Sequence, residues 1–579
     1  MLAYIDRAGQ YPVVIDAFRP LLKGNPRYTP DTAHPGDCRT RAHVRANLVP
    51  GANSSQNGGV CPARLGLVLA MWAGVAGCWT RTIGGPDDSA SSGTGGSAPA
   101  DSRRRFQITP SNQLDLLLVI DDSANDAAQQ KLVAQLPLLV QSLEALPGGL
   151  PDLHIGVIST DMGAGAQPPA GCTATGKGGQ LQSAPRAPCT DTTLDPGATF
   201  ISVGGGARNF TAPLEQVLQC ITPLGSGGCM FRQPLAAVEH ALGAGGARPP
   251  AANQDFLRPA AALGILILST HDDCSPAPGN TDLFTVDAAA PGLSDPLGPL
   301  DTYRCNRYGH LCDGVGGSLV IGMPPLAPPA NATGTPPFVE LANCVGNDLA
   351  GGRLTSITEV VNALSTLKDG ETERIFVSTI AGPPAPYGVA WSPAGAGNPG
   401  NPDELWPSVM LSCGAGDNPA LNPATMALSS DGTQGEPALR ISRFAQSFPR
   451  GLTSSICDPS YSSAMTEIAR GLGTAARGLK CIGAPVPLAP SRQPDCTVEA
   501  TYLTAMSSPA RISIPPCTID PTLDVQAPCW RSAYDMALCP GGGNAIDVIP
   551  DPNLQNASGL VYDVSCATCD GHASAPGCF

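Results

Sequence analysis

The sequence predicts an α/β protein with a doubly wound, mostly parallel sheet, long disulfide-rich insertions, and a Cys-rich C-terminal region that is mostly β or irregular. Three observations predict this fold class. Short continuous apolar runs, typical of strands buried on both faces, alternate with helical patterns. The 579 residues include 67 Gly and 60 Pro, a composition that favours long loops. Eighteen of the 21 cysteines lie from Cys172 onwards, an even number that can pair.

The first two predicted strands flank an amphipathic helix. QLDLLLVIDDS at 113–123 is an apolar run that ends in acidic residues, and LHIGVIST at 153–160 is the second strand. Between them, apolar residues recur at helical spacing: Leu132, Leu136, Leu139, Val140, Leu143 and Leu146. The strand–helix–strand order favours a parallel pair joined by a crossover helix.

The same alternation continues further along the chain. Pro234 begins the short helix PLAAVEHAL, and LGILILST at 263–270 is a third buried strand. Ser356 and Glu359 form a capping box before another helix, which IFVSTIAG at 375–382 follows as a strand. A last helix begins after Asp458-Pro459, carries Met465, Ile468, Ala469 and Leu472, and is expected to end at Gly473.

The cysteines divide the chain into two regions. Ten lie in residues 79–480 and eight in 481–579, so each region can close its own bridges. Eighteen cysteines in one chain are typical of an exported protein with disulfides. The sequence therefore predicts an α/β domain with insertions at 109–480 and a separate Cys-rich region at 481–579.

An apolar segment far from the start of the chain predicts the route of export. ARLGLVLAMWAGVAGC ends at Cys78, and its uncharged part is too short to span a bilayer. VAGC resembles a bacterial lipobox, in which the cysteine is cleaved and lipidated; the alternative is a buried core helix. We expect residues 60–77 to be a lipoprotein signal peptide.

The segments on either side of this signal are not expected to fold. Residues 1–59 are a doubtful or disordered extension, consistent with a start codon assigned too early. Residues 78–108 are rich in Ser, Gly, Ala, Asp and Pro, which predicts a flexible tether. Its final Arg103, Arg104 and Arg105 are interpreted either as a solvated charge run or as a contact to anionic headgroups.

Charge and motifs exclude several classes of function. The formal net charge is −15, whereas nucleic-acid binding requires a basic surface. Gly171 to Lys177 nearly matches a phosphate-binding loop, but Gly178 replaces the required Ser or Thr. No GxSxG or HExxH motif is present, and no nucleophile is paired with a base. The chain is therefore not expected to be an enzyme.

Two acidic clusters follow predicted strands. Asp121 and Asp122 follow the first strand, and Asp272 and Asp273 follow the third. Because ligands of open α/β sheets bind beyond the carboxyl ends of the strands, these carboxylates are candidate ligands for Mg²⁺ or Ca²⁺. The alternative is that Asp121 and Asp122 complement the dipole of the next helix.

LDLLLVIDDSAND, LHIGVISTDMG and LGILILSTHDDCS together resemble the von Willebrand factor A (vWA) domain, which is similar in architecture to Rossmann-like folds. The resemblance covers residues 113–475 and implies a metal-ion-dependent adhesion site. Asp121 and Ser123 match its first loop, whereas Asn125 stands where the family has Ser. Ser226 is the expected hydroxyl of the second loop. Thr270 occupies the family's Asp position, with Asp272 two residues later, so the site is degenerate.

The resemblance implies adhesion, in which an open metal position accepts a carboxylate from a partner protein. The expected protein is exported, lipid-anchored to a bacterial outer membrane or cell surface, and binds a protein or surface ligand. Two alternatives stay open: a structural envelope protein without a metal, and a secreted metal-dependent hydrolase.

Overall fold

The computed structural model describes residues 103–569, with gaps at 124–125, 147–148, 187–188, 190–193, 288–289, 314–320, 350, 399, 415–430, 488–493, 505–507, 519–526, 535–538, 540–543, 552–553 and 555–558. The predicted extension, signal peptide, Cys78 and most of the tether lie outside these residues, as does Asn125.

A seven-stranded mixed sheet forms the centre of the fold. Its strands, in spatial order, are β12 (Leu452–Ser455), β9 (Ile375–Ala381), β6 (Ala262–Ser269), β2 (Gln113–Ile120), β3 (Asp152–Ser159), β4 (Ile201–Gly204) and β5 (Ala207–Arg208). The first five are parallel, and β4 and β5 add antiparallel strands at one edge. The predicted α/β class with a mostly parallel sheet is confirmed.

The central strands are apolar because helices cover both faces of the sheet. β6 is buried at every position, and β2 is buried at all but its first residue. One face packs against α1 (Ala127–Glu144), α2 (Leu214–Ile221) and α7 (Ser462–Ala476). The other face packs against α3 (Pro234–Leu242), α5 (Ile357–Thr366) and α6 (Leu439–Gln446).

Two helix ends test the predicted start and stop signals. Ser356 is the N-cap of α5, since the Glu359 backbone N–H donates to Ser356 Oγ over 3.2 Å. The reciprocal bond of a capping box, from the Ser356 N–H to the Glu359 side chain, is not formed among the described residues. The prediction that Gly473 ends the last helix is wrong, because α7 continues to Ala476. A Cβ on Gly473 would lie 2.5 Å from Leu146 Cδ1, so this glycine allows close packing of α7 against the segment that follows α1.

The segments inserted after β6 and after β9 together form a small sheet, the insertion sheet. It consists of β11 (Leu405–Val409), β10 (Tyr387–Pro393), β8 (Phe338–Gly346) and β7 (His310–Asp313), all antiparallel, and α4 (Tyr303–Gly309) precedes it. Trp391, from the segment after β9, and Tyr303, from the segment after β6, are buried in one core. Both insertions are therefore folded, although no periodic pattern predicts it.

The C-terminal region builds two further antiparallel sheets. One contains β1 (Arg103–Ile108), β18 (Val561–Ala567), β14 (Cys496–Leu503) and β15 (Pro509–Ile514). The other contains β13 (Lys480–Cys481), β17 (Asn544–Ile549) and β16 (Cys529–Tyr534).

The structure corrects the predicted end of the tether. Residues 103–108 are strand β1, which pairs with β18 from Arg103↔Ala567 to Ile108↔Tyr562. The Arg103 guanidinium donates to the Ser565 carbonyl over 3.0 Å, and Arg104 donates to the Gly483 carbonyl over 2.9 Å. The arginine run therefore binds the C-terminal region, because carbonyls there accept hydrogen bonds from its guanidinium groups.

Eight disulfides join described cysteines, in keeping with the cysteine count. Five lie within 172–457: Cys172–Cys229, Cys189–Cys220, Cys274–Cys305, Cys312–Cys344 and Cys413–Cys457. Three lie in the C-terminal region: Cys481–Cys539, Cys496–Cys566 and Cys517–Cys529. Such a density of disulfides indicates an oxidising compartment outside the cytoplasm. Within the described ranges, no helix is both long and apolar enough to span a bilayer.

Candidate functional site

The candidate site lies where the carboxyl ends of β2, β3 and β6 meet. Parallel register aligns Ile120 with Ser159 and with Leu268, so the residues that follow these strands converge at one edge. The backbone N–H of Asp121 donates to the Leu268 carbonyl, which continues the pairing of β2 with β6 by one residue. Thr270, from the loop after β6, therefore lies beside Asp121.

The carboxylate of Asp121 is the centre of this site, and the residue is 5% exposed. Its Oδ1 accepts hydrogen bonds from the Ser123 hydroxyl at 2.5 Å and the Ser123 backbone N–H at 3.0 Å. Its Oδ2 accepts from the Thr270 hydroxyl at 2.6 Å and the Thr270 backbone N–H at 3.0 Å. Four neutral donors therefore hold this carboxylate in one orientation.

A guanidinium lies against the same carboxylate. Arg232 Nε is 3.4 Å from both Asp121 oxygens, and both side chains are almost fully buried. Burial alone would raise the pKa of Asp121, but the charges of Arg232 and His271 and the hydroxyl hydrogen bonds hold that pKa well below its usual range. Asp121 is therefore ionised, and its charge is balanced from within the chain.

Asp122 points to the neighbouring strand and also has a basic partner. Its Oδ1 accepts a hydrogen bond from the Ser159 hydroxyl at 2.7 Å, and Lys177 Nζ contacts Oδ2. The loop that carries Ser226 docks beside it, since the Gly228 N–H donates to the Asp122 carbonyl over 2.6 Å. A Cβ at Gly228 would overlap Asp122 Oδ1, so a glycine suits this close approach.

Asp272 joins a different group of residues. His310 Nε2 lies 2.7 Å from Oδ2, which also accepts the Arg440 backbone N–H at 2.7 Å. The Ile441 N–H donates to Oδ1 over 3.0 Å, so Asp272 binds the first turn of α6. Burial opposes ionisation, but His310 and these N–H groups keep the pKa of Asp272 below its usual range.

Two more buried acids complete this edge of the sheet. Asp273 pairs with Arg440 Nε at 3.1 Å and accepts the Leu235 N–H at the start of α3. Glu436 lies 3.1 Å from His271 Nε2 and accepts a hydrogen bond from the Asn306 amide over 3.1 Å. Each acid named at this edge thus has its own basic partner: Asp121 with Arg232, Asp122 with Lys177, Asp272 with His310, Asp273 with Arg440, and Glu436 with His271.

The predicted metal-site residues are only partly brought together. Asp121 and Ser123 meet at one point, whereas Ser226 is exposed and its hydroxyl makes no hydrogen bond with the described residues. The structure corrects the grouping of Asp272 with Asp121, because both Asp272 oxygens bind donors from α6, His310 and Asp273. The physical reason is that a helix N-terminus attracts a carboxylate, whereas a second acid repels it.

The described residues of the site, which do not include Asn125, do not by themselves form a donor set for Mg²⁺ or Ca²⁺. These ions need several oxygen ligands at one point, and Asp121 supplies the one carboxylate that meets Ser123 and Thr270 among the described residues. Arg232 places a positive charge beside that carboxylate. In the part of the chain that the structure describes, no cluster of three or more His, Cys, Asp or Glu is arranged to hold a metal ion.

Sequence reasoning misses three of the basic partners. Arg232 lies 111 residues from Asp121, and Lys177 lies 55 residues from Asp122, both in loops without periodic pattern. Arg440 is on α6, a helix that the sequence analysis does not predict, although apolar residues recur there at helical spacing: Ile441, Phe444, Ala445 and Phe448. The available signal is weak, since a charged residue in a loop or on a short helix does not identify its partner in the sequence.

Comparison with known proteins assigns no family to this chain. No protein-family model matches it, and no curated protein matches it either.

Proposed function

We propose that this chain is an exported, lipid-anchored surface protein whose α/β domain is a divergent vWA-like domain that binds a protein or another surface ligand. The single observation that carries the proposal is the contact of Asp121, Ser123 and Thr270 at the carboxyl end of the sheet. Ligands of open α/β sheets bind at this edge. The disulfides support export, and the VAGC sequence that ends at Cys78 supports the anchor.

The proposed binding does not depend on a divalent cation. In the adhesion mechanism that the vWA resemblance implies, a metal beside the first Asp accepts a partner carboxylate. Here the Arg232 guanidinium lies beside Asp121 and balances its charge. A partner would therefore be held by the surface of the surrounding loops, where Ser226 and Gly227 are exposed and the Lys177 side chain is 26% exposed.

The test is cell-surface binding of the purified full-length mature protein, labelled with a fluorophore, with and without a chelator. Ser226→Trp places a large side chain on the exposed loop and should reduce binding at least tenfold. Gln141→Trp is the matched control, since Gln141 is exposed near the end of α1, which runs from this edge of the sheet to the opposite one. Binding should be equal with and without chelator. Loss of binding in chelator, or equal binding of the two variants, would overturn the proposal.

The anchor is tested separately by metabolic labelling with a radioactive fatty acid. The wild type should incorporate the label and fractionate with membranes, and Cys78→Ser should do neither. Label retained in Cys78→Ser would contradict lipidation at this cysteine without affecting the proposed binding edge.

A further inference from the structure

A cavity lies between β9, β12 and α6 and shares no residue with the Asp121 group. Its volume, counted as the space open to the centre of a water molecule, is about 170 Å³. A volume of ~15 Å³ counted in this way holds one water, so the cavity has room for several waters or one small ligand. Every described residue that lines it is uncharged. Five carry hydroxyls, and the others are Ala381, Gly382, Pro383 and Pro384.

The parallel register of the two strands aligns the hydroxyls. Thr379 of β9 is the register partner of Thr453 of β12, and Ala381 is that of Ser455. Paired residues of neighbouring strands project to the same face, here the face that α6 covers. Ser442 of α6 adds a hydroxyl from the opposite wall. Strand pairing and helix packing, which are fixed by the fold, therefore build this wall of hydroxyls.

Two of these hydroxyls are on buried residues and lack a protein partner. Thr379 is 1% exposed and Ser442 is 6% exposed. Within the described part of the chain, neither side chain forms a hydrogen bond, and neither does that of Thr453. Neither oxygen is among the side-chain atoms that the protein shuts off from solvent without a partner, so each is open to water or to a molecule bound in the cavity.

We propose that this cavity binds one neutral, polyhydroxylated unit, namely a single sugar ring of a surface glycan. A hydroxyl is both donor and acceptor, and so are the hydroxyls of a sugar, which makes the two sets complementary. An anion would require basic groups and a cation would require carboxylates, and the described residues that line the cavity include neither. The proline rings and the Ala381 methyl offer apolar surface for the C–H face of a sugar ring.

The experiment measures binding of free glucose, galactose, mannose and N-acetylglucosamine to the full-length mature protein in saturation-transfer NMR titrations, with inorganic phosphate as the charged comparison. Thr379→Val and Ser442→Ala each remove one hydroxyl at nearly constant shape. Each should weaken binding of the preferred sugar about two- to tenfold, the effect of one neutral hydrogen bond. Because the removed hydroxyls have no partner among the described residues, the melting temperature should not fall.

Ser447→Ala is the matched control, since Ser447 lies just beyond α6, is exposed and donates to the Arg443 carbonyl. It should bind sugar like the wild type. The proposal is overturned if none of the four sugars binds, if phosphate binds instead, or if Thr379→Val and Ser442→Ala bind like the control. These outcomes are independent of the effect of Ser226→Trp on cell-surface binding, so the two proposals fail separately.

Discussion

Disulfides serve different purposes in the sheet domain and in the C-terminal region. The five bridges between Cys172 and Cys457 join connections, helices and the insertion sheet, and they leave β2, β3, β6 and β9 unlinked. In the C-terminal region each of the three bridges has at least one cysteine within a strand, as Cys312–Cys344 has in the insertion sheet. Cys496 of β14 and Cys566 of β18 are direct register partners and are also bonded through sulfur.

This difference follows from the size of the cores. The parallel sheet buries a large apolar cluster on each face, which is the main source of its stability. The C-terminal sheets share one modest cluster around Trp530 and Tyr562, with two smaller clusters beside it. Small cores need covalent links, so bridges hold strands together in the C-terminal sheets and in the insertion sheet, whereas around the large parallel sheet they hold connections and helices in place.

The largest effect is expected from removing the bridge within the C-terminal sheet. Cys496 and Cys566 are 70 residues apart, and replacing both with Ala should cost about 4 kcal/mol in the chain-entropy model. Limited proteolysis should then cut within 481–569 while 113–476 stays intact. Cys312→Ala with Cys344→Ala is the control, and its cuts should fall in the insertion. Equal protease resistance of the C-terminal region in both variants would contradict the comparison.

The next largest effect tests the charge balance at the sheet edge. Arg232→Met leaves Asp121 ionised and buried without its cation. We expect a loss of about 3 kcal/mol in the free energy of unfolding. This is the lower end of the range for breaking a buried ion pair, because Ser123 and Thr270 still donate hydrogen bonds to Asp121. Arg531→Met is the comparison in the C-terminal region. Arg531 is 45% exposed and Asp547 keeps Arg477, so its loss should stay below about 1 kcal/mol. Denaturant unfolding measures both, and equal losses would contradict the role given to burial.

A smaller effect should appear as a pH dependence of the sheet domain. Burial, with the charges of Asp273 and Glu359, raises the pKa of Glu239 on α3 from 4.5 to about 7. Because the folded pKa is the higher one, this group's contribution is present below pH 4.5 and is lost as pH rises through 7. The free energy of unfolding of Glu239→Gln should therefore match that of the wild type at about pH 4 and exceed it by about 1 kcal/mol at about pH 8. This difference is reduced from the full effect of the pKa shift because Glu239 is partly in contact with solvent.

Unfolding curves at these two pH values measure this difference. A constant gap between Glu239→Gln and the wild type at both would show that the carboxylate does not titrate in this range. Glu359→Gln is a useful second variant, because removing one of the neighbouring charges should reduce the pH dependence without abolishing it.

The smallest effect concerns a buried hydroxyl beside the candidate site. Thr160 Oγ1 is buried and has no hydrogen-bond partner among the described residues. Thr160→Val should change stability by no more than about 0.5 kcal/mol, or raise it, because no protein hydrogen bond is lost. Thr222→Val is the matched control: Thr222 is also buried, but its hydroxyl donates to the Leu218 carbonyl over 2.7 Å, so about 1 kcal/mol should be lost. Thermal unfolding of the two variants measures the contrast.

The strands of the central sheet were predictable because burial on both faces requires an unbroken apolar run, and 263–270 is such a run. β12 and β1 could not be predicted in this way. β12 reads LTSS and becomes a strand by pairing its backbone with β9. β1 reads RRRFQI, and its arginines find carbonyl acceptors in residues 378 or more positions away.

The candidate site was predictable where its residues follow apolar strands. Asp121 and Thr270 each lie one residue beyond a strand, so topology alone brings them to one edge. Arg232 follows no such rule, since it lies in the segment between α2 and α3 and reaches Asp121 only through tertiary packing. The sequence misplaces Asp272 because the first turn of α6, which binds it, carries no recognisable start signal.

The position of β1 determines how the folded chain responds to mechanical load. The chain before Arg103 leads into an edge strand that is paired with β18 over six residue pairs. Tension applied there reaches β18 before it reaches the parallel sheet, and Cys496–Cys566 limits how far β18 can be drawn from β14. A protein held by the proposed tether would thus bear shear first at its disulfide-linked end, which lies on the path of force from the anchor to the binding edge.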